Sequence, residues 1–257
     1  MSRIAVLLLA ALALAACGST GRPQADQDRD GRQLASALQT AMGEGSAFKL
    51  DQQLVLTGGD IPSGKEIAVH ATVSDGMLRN GTARFSYRIT QGKQTVTYDM
   101  LVSGGRLFVR HHGGSGWKVT PLPAATSLFP ALRLDLVRET VLLASAVSTG
   151  TVTHVDAGFA RKYAVRPAPD QLEELESVPV QGQAETQFLK TATAEVDVFL
   201  VYPGDRLGRV EVHLSGTDPS SGIRQQVQSS IDVRTAKVAT IQEPGSAQPV
   251  SPGDVLS

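Results

Sequence analysis

Four stretches of this chain share one pattern, with apolar side chains at alternate positions, polar ones between them, and a glycine-bearing turn at each end. Phe48, Leu50, Leu54 and Leu56 alternate with Lys49, Asp51 and Gln53. Ile67, Val69, Ala71 and Val73 alternate with Glu66, His70 and Thr72. Ala83, Phe85, Tyr87 and Ile89 alternate with Arg84, Ser86, Arg88 and Thr90, and Val96, Tyr98, Met100 and Val102 with Thr95, Thr97 and Asp99. Successive side chains of a strand point to opposite faces, so a period of two describes a sheet with one dry and one wet face. The turns at Gly58-Gly59, Asp75-Gly76, Asn80-Gly81, Gln91-Gly92 and Gly104-Gly105 predict an antiparallel meander. Residues 106–110 read as one more strand, ahead of a loop at 111–116 and Trp117.

Helical spacing flanks and interrupts the strands. After Asp30, a candidate N-cap, Leu34, Ala37, Leu38, Ala41 and Met42 form one apolar stripe, which Gly43 and Gly45 end. Residues 127–147 are apolar on nearly every side, so a helix there must bury more than one side. Ser127 can cap it, and Pro130 fits only its first turn. Strand patterns resume at 151–155, 161–166, 194–202, 210–214 and, after Gly222, over 224–234, with a turn and a short acidic helix over 167–176.

The first twenty residues concern destination. Arg3 precedes an uncharged run over residues 4–14, too short for a bilayer span but suited to an export signal. Leu14-Ala15-Ala16-Cys17 follows and resembles a lipobox, the bacterial lipoprotein processing site. That resemblance implies diacylglycerol on the Cys17 thiol and cleavage after Ala16. A thiolate is the natural nucleophile for this transfer, and two or three acyl chains anchor a protein stably. An ordinary secretory signal with an incidental cysteine is the other reading. The expected organisation is a signal peptide at 1–16, a lipidated flexible tether at 17–30, one domain at 31–241 and a disordered Pro/Ser/Gly-rich tail at 242–257.

Composition narrows the function. Lys+Arg total 24 against 25 Asp+Glu, and aromatic residues are 5% of the 257. Neither a basic surplus nor a stacking platform for nucleic acid is present. The single cysteine excludes an internal disulfide and a multi-thiolate zinc site.

The order of helix, strands, apolar helix and strands resembles the LppX/LprG lipoproteins of actinobacterial envelopes and, more distantly, the lipoprotein carrier LolA. The resemblance rests on the lipobox at Cys17, the amphipathic helix before the first long strand, Trp117-Lys118-Val119 with Pro121, and the apolar segment 128–147. It departs from that family at Arg133, Arg138 and Glu139, where the family favours a turn with Gly and Asn. The resemblance implies an α+β fold, a strongly bent antiparallel half-barrel with helices across its concave side. It also implies an envelope protein, anchored on the extracytoplasmic face, that holds an acylated lipid or glycolipid in an apolar cavity and works with a lipid transporter. No catalysis, cofactor or metal is expected.

The expected cavity lining is the dry face: Leu54, Ile67, Val69, Phe85, Tyr87, Val96, Tyr98, Met100, Leu136, Val137 and Leu143. The alternative is that the same residues form a close-packed core. His111-His112 would point to opposite faces of a strand, so the pair reads as solvated rather than chelating. Glu173, Glu174 and Glu176 read as a solvated helix face. Arg106 and Arg110 are candidates for a lipid headgroup or for ordinary surface roles. Gly113-Gly114-Ser115-Gly116 lacks the spacing of a nucleophile elbow. No local motif marks a Ser/His/Asp triad, although its members need not be close in sequence.

Overall fold

The computed structural model describes residues 24–121, 134–144, 146–168, 171, 191–251 and 254. Their elements begin with helix α1 (Gln24–Glu44) and strands β1 (Ser46–Gly58), β2 (Ile67–Arg79), β3 (Thr82–Gln91) and β4 (Gln94–Ser103). Strands β5 (Arg106–His111) and β6 (Lys118–Pro121) and helix α2 (Leu134–Leu143) come next. The chain continues with β7 (Ala146–Val155), β8 (Gly158–Val165), β9 (Thr193–Val201), β10 (Arg206–Thr217), β11 (Ile223–Thr235) and β12 (Gln248–Pro249).

All twelve strands belong to one sheet, in the order β12-β6-β5-β4-β3-β2-β1-β11-β10-β9-β8-β7. Pairing is antiparallel except between β12 and β6. The two ends of the sheet do not pair, so the described residues form an open, strongly curved sheet with two helices. The seam between its halves is β1 on β11, with Leu50 opposite Ile231 and Leu54 opposite Val227. From Leu50 a row of buried apolar side chains runs through Ile231, Val210, Val198 and Tyr163 on one side. On the other side it continues to Val73. This register places the main cluster of dry side chains on one inner face, while Val155, Ala160, Phe199 and Val201 form a small buried cluster on the other.

Helix α1 covers part of that face. Leu34, Ala37, Leu38 and Ala41, the stripe expected from the spacing, are buried in one cluster with Phe48, Leu50, Phe85, Met100, Val137 and Val141. Burying a leucine fully is worth about 1.5–3 kcal/mol, so Leu34 and Leu38 together contribute a large part of what holds α1 down. Gly31 faces the Val141 carbonyl of α2, and a Cβ there would meet it in ordinary van der Waals contact at 3.5 Å.

Extra residues bend the strands. β2 carries one more residue than both neighbours between Thr72 and Met77, and β10 has one at Gly208. Such bulges kink a strand and add twist. The sequence pattern reads Asp75-Gly76 as a turn, yet both residues lie inside β2 at this bulge. The β2–β3 hairpin turns instead at Asn80-Gly81, both with positive φ (50° and 70°), the conformation that Asn-Gly favours. Gly76 serves packing: a Cβ there would fall 2.3 Å from the Phe48 ring.

Three other expectations are corrected. Helix α1 starts by Gln24, so Asp30 is not its cap but a buried helical residue whose carboxylate accepts the Ser148 N–H at 3.4 Å. The first turns of α1 are polar and leave no apolar period to read. The apolar segment 127–147 is helical only to Leu143 among its described residues, and Ala146 and Val147 already belong to β7. The tail is docked where it is described. Gln248 N–H and Val250 N–H donate to the Trp117 and Val119 carbonyls at 2.8 and 2.9 Å, and Arg106 binds Glu243 at 2.6 Å. Composition missed this because pairing on an exposed edge uses backbone groups, whatever the side chains.

Gly76→Ala is expected to lower stability by about 1–3 kcal/mol, the usual range for overpacking a core. Denaturant unfolding measures it, and a second change, Phe48→Leu, should recover part of the loss by opening space.

Candidate functional site

The inner face divides into two unlike halves. Helix α1 lies across one of them. At its C-terminal end, the Ser46 hydroxyl donates to the Ala41 carbonyl at 3.0 Å and Gly81 N–H to the Met42 carbonyl at 3.2 Å. Nearer its start, Asp30 meets β7 through Ser148. The helix therefore spans from β7 to the β2–β3 turn, over the Phe48 and Leu50 rows.

Beneath the helices the face is a buried apolar cluster. Phe85, Tyr87, Tyr98, Met100 and Val137, all expected to line a cavity, are buried there, with Leu54 at the margin. Phe48 and Phe85 meet edge to face at 5.8 Å, and Phe85 and Tyr87 at 6.3 Å. Burial pushes the Tyr87 phenol far above its ordinary range, so it stays a neutral hydroxyl.

The other half is different. Leu56 pairs with Ile67, Leu54 with Val69, and Ile89 with Val96. Leu214 pairs with Val227 on the far side of the seam. All belong to the inner-face parity, yet Ile67 is 36% exposed and Val96 39%. Leu56, Val69, Ile89 and Leu214 are half-buried. Helix α2 ends with two further exposed leucines, Leu142 and Leu143. Between the halves, Gln52 and Ser229 sit opposite one another and are buried.

The expected lining thus separates into a packed set and an open set of Ile67, Val69, Val96 and Leu143. Leu56, Ile89 and Leu214 join the open strip by register, and were absent from the expected lining. Their alternation was readable, but how far along the strands a helix reaches is not a property of the strand sequence. Cys17, the side chain of Leu136 and Glu173, Glu174 and Glu176 lie outside the described residues.

The outer face around Asp99 is polar and internally paired. Asp99 accepts hydrogen bonds from Ser86 (3.0 Å) and Arg110 (3.0 Å), and its Oδ1 lies 2.8 Å from His112 Nδ1. Here the carboxylate lies between serine and histidine, whereas nucleophile activation puts the histidine between them. His111 instead stacks on Tyr98, with ring centroids 4.9 Å apart, so the two histidines diverge as the strand geometry requires. Arg110 lies 4.6 Å above the Trp117 ring. The two candidate headgroup arginines are therefore committed, Arg110 to Asp99 and Arg106 to Glu243. A cleft of about 670 Å³ runs beside Asp99, bordered by Met77, Phe85, His112 and residues 239–242. Among the described residues, no group of three His, Asp or Glu side chains is placed to hold a metal, and no helix is long and apolar enough to cross a membrane.

No family model matches the chain, and no curated protein does. Several solved structures are similar. LprF from Mycobacterium bovis is 13% identical over 88% of this chain and 100% of its own, with a TM-score of 0.41. A LolA superfamily protein from Nitrosomonas europaea is 10% identical over 81% of this chain and 94% of its own, with a TM-score of 0.36. A conserved protein from Thermus thermophilus is 9% identical over 86% of this chain and 99% of its own, with a TM-score of 0.33.

Burial acts to raise the Asp99 carboxyl. It is outweighed by hydrogen bonds from His112, Ser86 and Arg110 and by the charge of His112, so the group lies below its ordinary value of 3.8. A carboxyl depressed in the folded state stabilises the fold above its unfolded value and loses that contribution as pH falls through the folded one. Stability is expected to drop more steeply for the wild type than for Asp99→Asn as pH is lowered below about 4. Denaturant melts at pH 5, 4 and 3 compare them, and parallel curves would contradict this account.

Proposed function

We propose that this chain is a lipid-anchored envelope protein that seats the acyl chains of a lipid or glycolipid on the open half of its inner face and carries or presents them. The observation that carries this reading is the strip of Leu56, Ile67, Val69, Ile89, Val96 and Leu214, which has the parity of the core but is half-exposed. An acyl chain gains about 0.8 kcal/mol per CH2 on leaving water, so a strip of aliphatic side chains continuous with a dry core is a suitable seat. Aliphatic walls suit it better than bulky aromatic ones, which would fill the space. In this reading the curved sheet acts as a half-barrel, Cys17 carries the lipid that holds the protein at the extracytoplasmic membrane surface, and a lipid transporter is the partner. The work is burial and release, with no bond made or broken in the cargo.

A second reading has its own support. The residues beneath α1 and α2 are buried in one apolar cluster, which suits a structural or interaction lipoprotein that assists envelope assembly or a transporter.

The two separate by experiment. Native mass spectrometry of the mature chain carrying Cys17→Ser should show lipid adducts that are absent from the chain after delipidation. Ile67→Asp or Val96→Asp should cut occupancy by about tenfold or more, because a charged rim forfeits roughly 1.5–3 kcal/mol of apolar contact. The circular dichroism spectrum should not change, since both positions are partly exposed. An adduct-free wild type, even when refolded with added phospholipid, would leave the interaction reading in place and end the carrier reading.

A further inference from the structure

A second exposed apolar patch lies on the other side of α1. Val152 is 62% exposed, Phe159 65% and Tyr202 75%, far more than the strip described above. They are neighbours in the sheet. His154 pairs with Phe159, and their rings meet edge to face at 5.3 Å. Val152 pairs with Arg161 two residues along the same strands. Tyr202 N–H donates to the Phe159 carbonyl at 2.9 Å.

The tip that carries this patch is held firmly from its opposite side. Val155, Ala160, Phe199 and Val201 form a small buried cluster of their own. Asp156 in the β7–β8 turn accepts a hydrogen bond from Lys49 of β1 at 2.7 Å. Phe159 and Arg161 have the parity of Tyr163, which is buried farther along β8. The same strand face that is dry in the core therefore emerges bare at the tip.

Two contacts bring this end of the sheet near α1, the helix that follows Cys17. Asp30 of α1 holds Ser148 at the start of β7. Gln33, Ser36 and Thr40 of α1 face Gly204–Leu207, just after Tyr202, across a cleft of about 290 Å³. Helix α1 begins at Gln24, and the seven residues from Cys17 to Gln24 reach at most about 25 Å when extended. A lipid on Cys17 would thus keep the start of α1 within a short distance of the bilayer. Exposed Arg161 and Arg206 flank the patch, with Asp205 beside Arg206.

We propose that the β7–β8 tip, through Val152, Phe159 and Tyr202, docks into the interfacial layer of the membrane to which the chain is anchored. Tyr is suited to this layer, where its apolar ring body and polar tip are both accommodated, and Phe packs at the boundary with the acyl chains. Arg161 and Arg206 would meet lipid phosphates there. One lipid anchor leaves a protein free to swivel, whereas a second contact sets its orientation. The inference rests on lipidation of Cys17 and is independent of what the open strip binds.

The test uses the lipidated chain in phosphatidylethanolamine/phosphatidylglycerol vesicles, with Phe159→Trp in a Trp117→Phe background. Phospholipids brominated near the headgroup end of the acyl chain should quench the tryptophan at position 159, and those brominated near the chain terminus should quench it less. Adding Tyr202→Asp and Val152→Asp should reduce the quenching at least twofold, with the protein still floating with the vesicles. Flotation without quenching would overturn the docking and leave the anchor standing. An unquenched tryptophan shielded from aqueous iodide, in a chain that crosslinks to itself, would assign the patch to a second copy. Failure of the wild type to float would overturn the anchor and the docking together.

Discussion

The register of β1 between β11 and β2 is the constraint on which the rest depends. Leu50 stands opposite Ile231 and beside Val73, and this pairing aligns the dry faces of the two halves of the sheet. A slip of one residue would turn the side chains of a whole strand to the opposite face. Helix α1 would then lose much of the surface it covers, because its Leu34–Leu38 stripe is buried in one cluster with Phe48 and Leu50. The bulges in β2 and β10 work within this register. They bend the strands without changing which face is dry on either side of the bend, and small residues, Gly76 and Gly208, occupy the crowded positions.

Coverage, rather than composition, divides the inner face. Both halves carry aliphatic side chains at the same parity. Where α1 and α2 lie, the side chains interlock into a core that leaves Tyr87 and Met100 fully buried. Where the strands extend past the helices, the same kind of side chain is left half in water. Such a surface is costly to leave exposed, and in the carrier reading its continuity with the core makes it the seat for a hydrocarbon chain. The carrier reading and the interaction reading each rest on one of these halves.

The outer face shows the opposite arrangement. Its charges are matched locally: Lys162 with Asp197, Arg166 with Glu195, and Arg209 with Asp232. The Arg209–Asp232 pair joins β10 to β11 through two hydrogen bonds of 2.7 and 2.9 Å. The exposed pair, Arg166 with Glu195, adds little stability by itself, whereas Asp197 is buried and Lys162 supplies its countercharge. The effect of these pairs is to make the wrong face expensive to bury, which reinforces the register set by the apolar side.

The amino-acid sequence by itself determined the strands of the first meander, the α1 stripe and the identity of the dry face, because alternation and helical spacing are local and survive in one dimension. It also carried the lipobox-like run ending at Cys17. The limits of α1 and α2, the bulge at Asp75-Gly76, the docked tail and the split of the inner face were decided only by tertiary structure. Each depends on a partner distant in sequence: the Phe48 ring for Gly76, the Trp117 and Val119 carbonyls for the tail, and the span of α1 for the boundary between packed and open side chains. Periodicity says which way a side chain points, and the contacts made across the fold decide whether anything covers it.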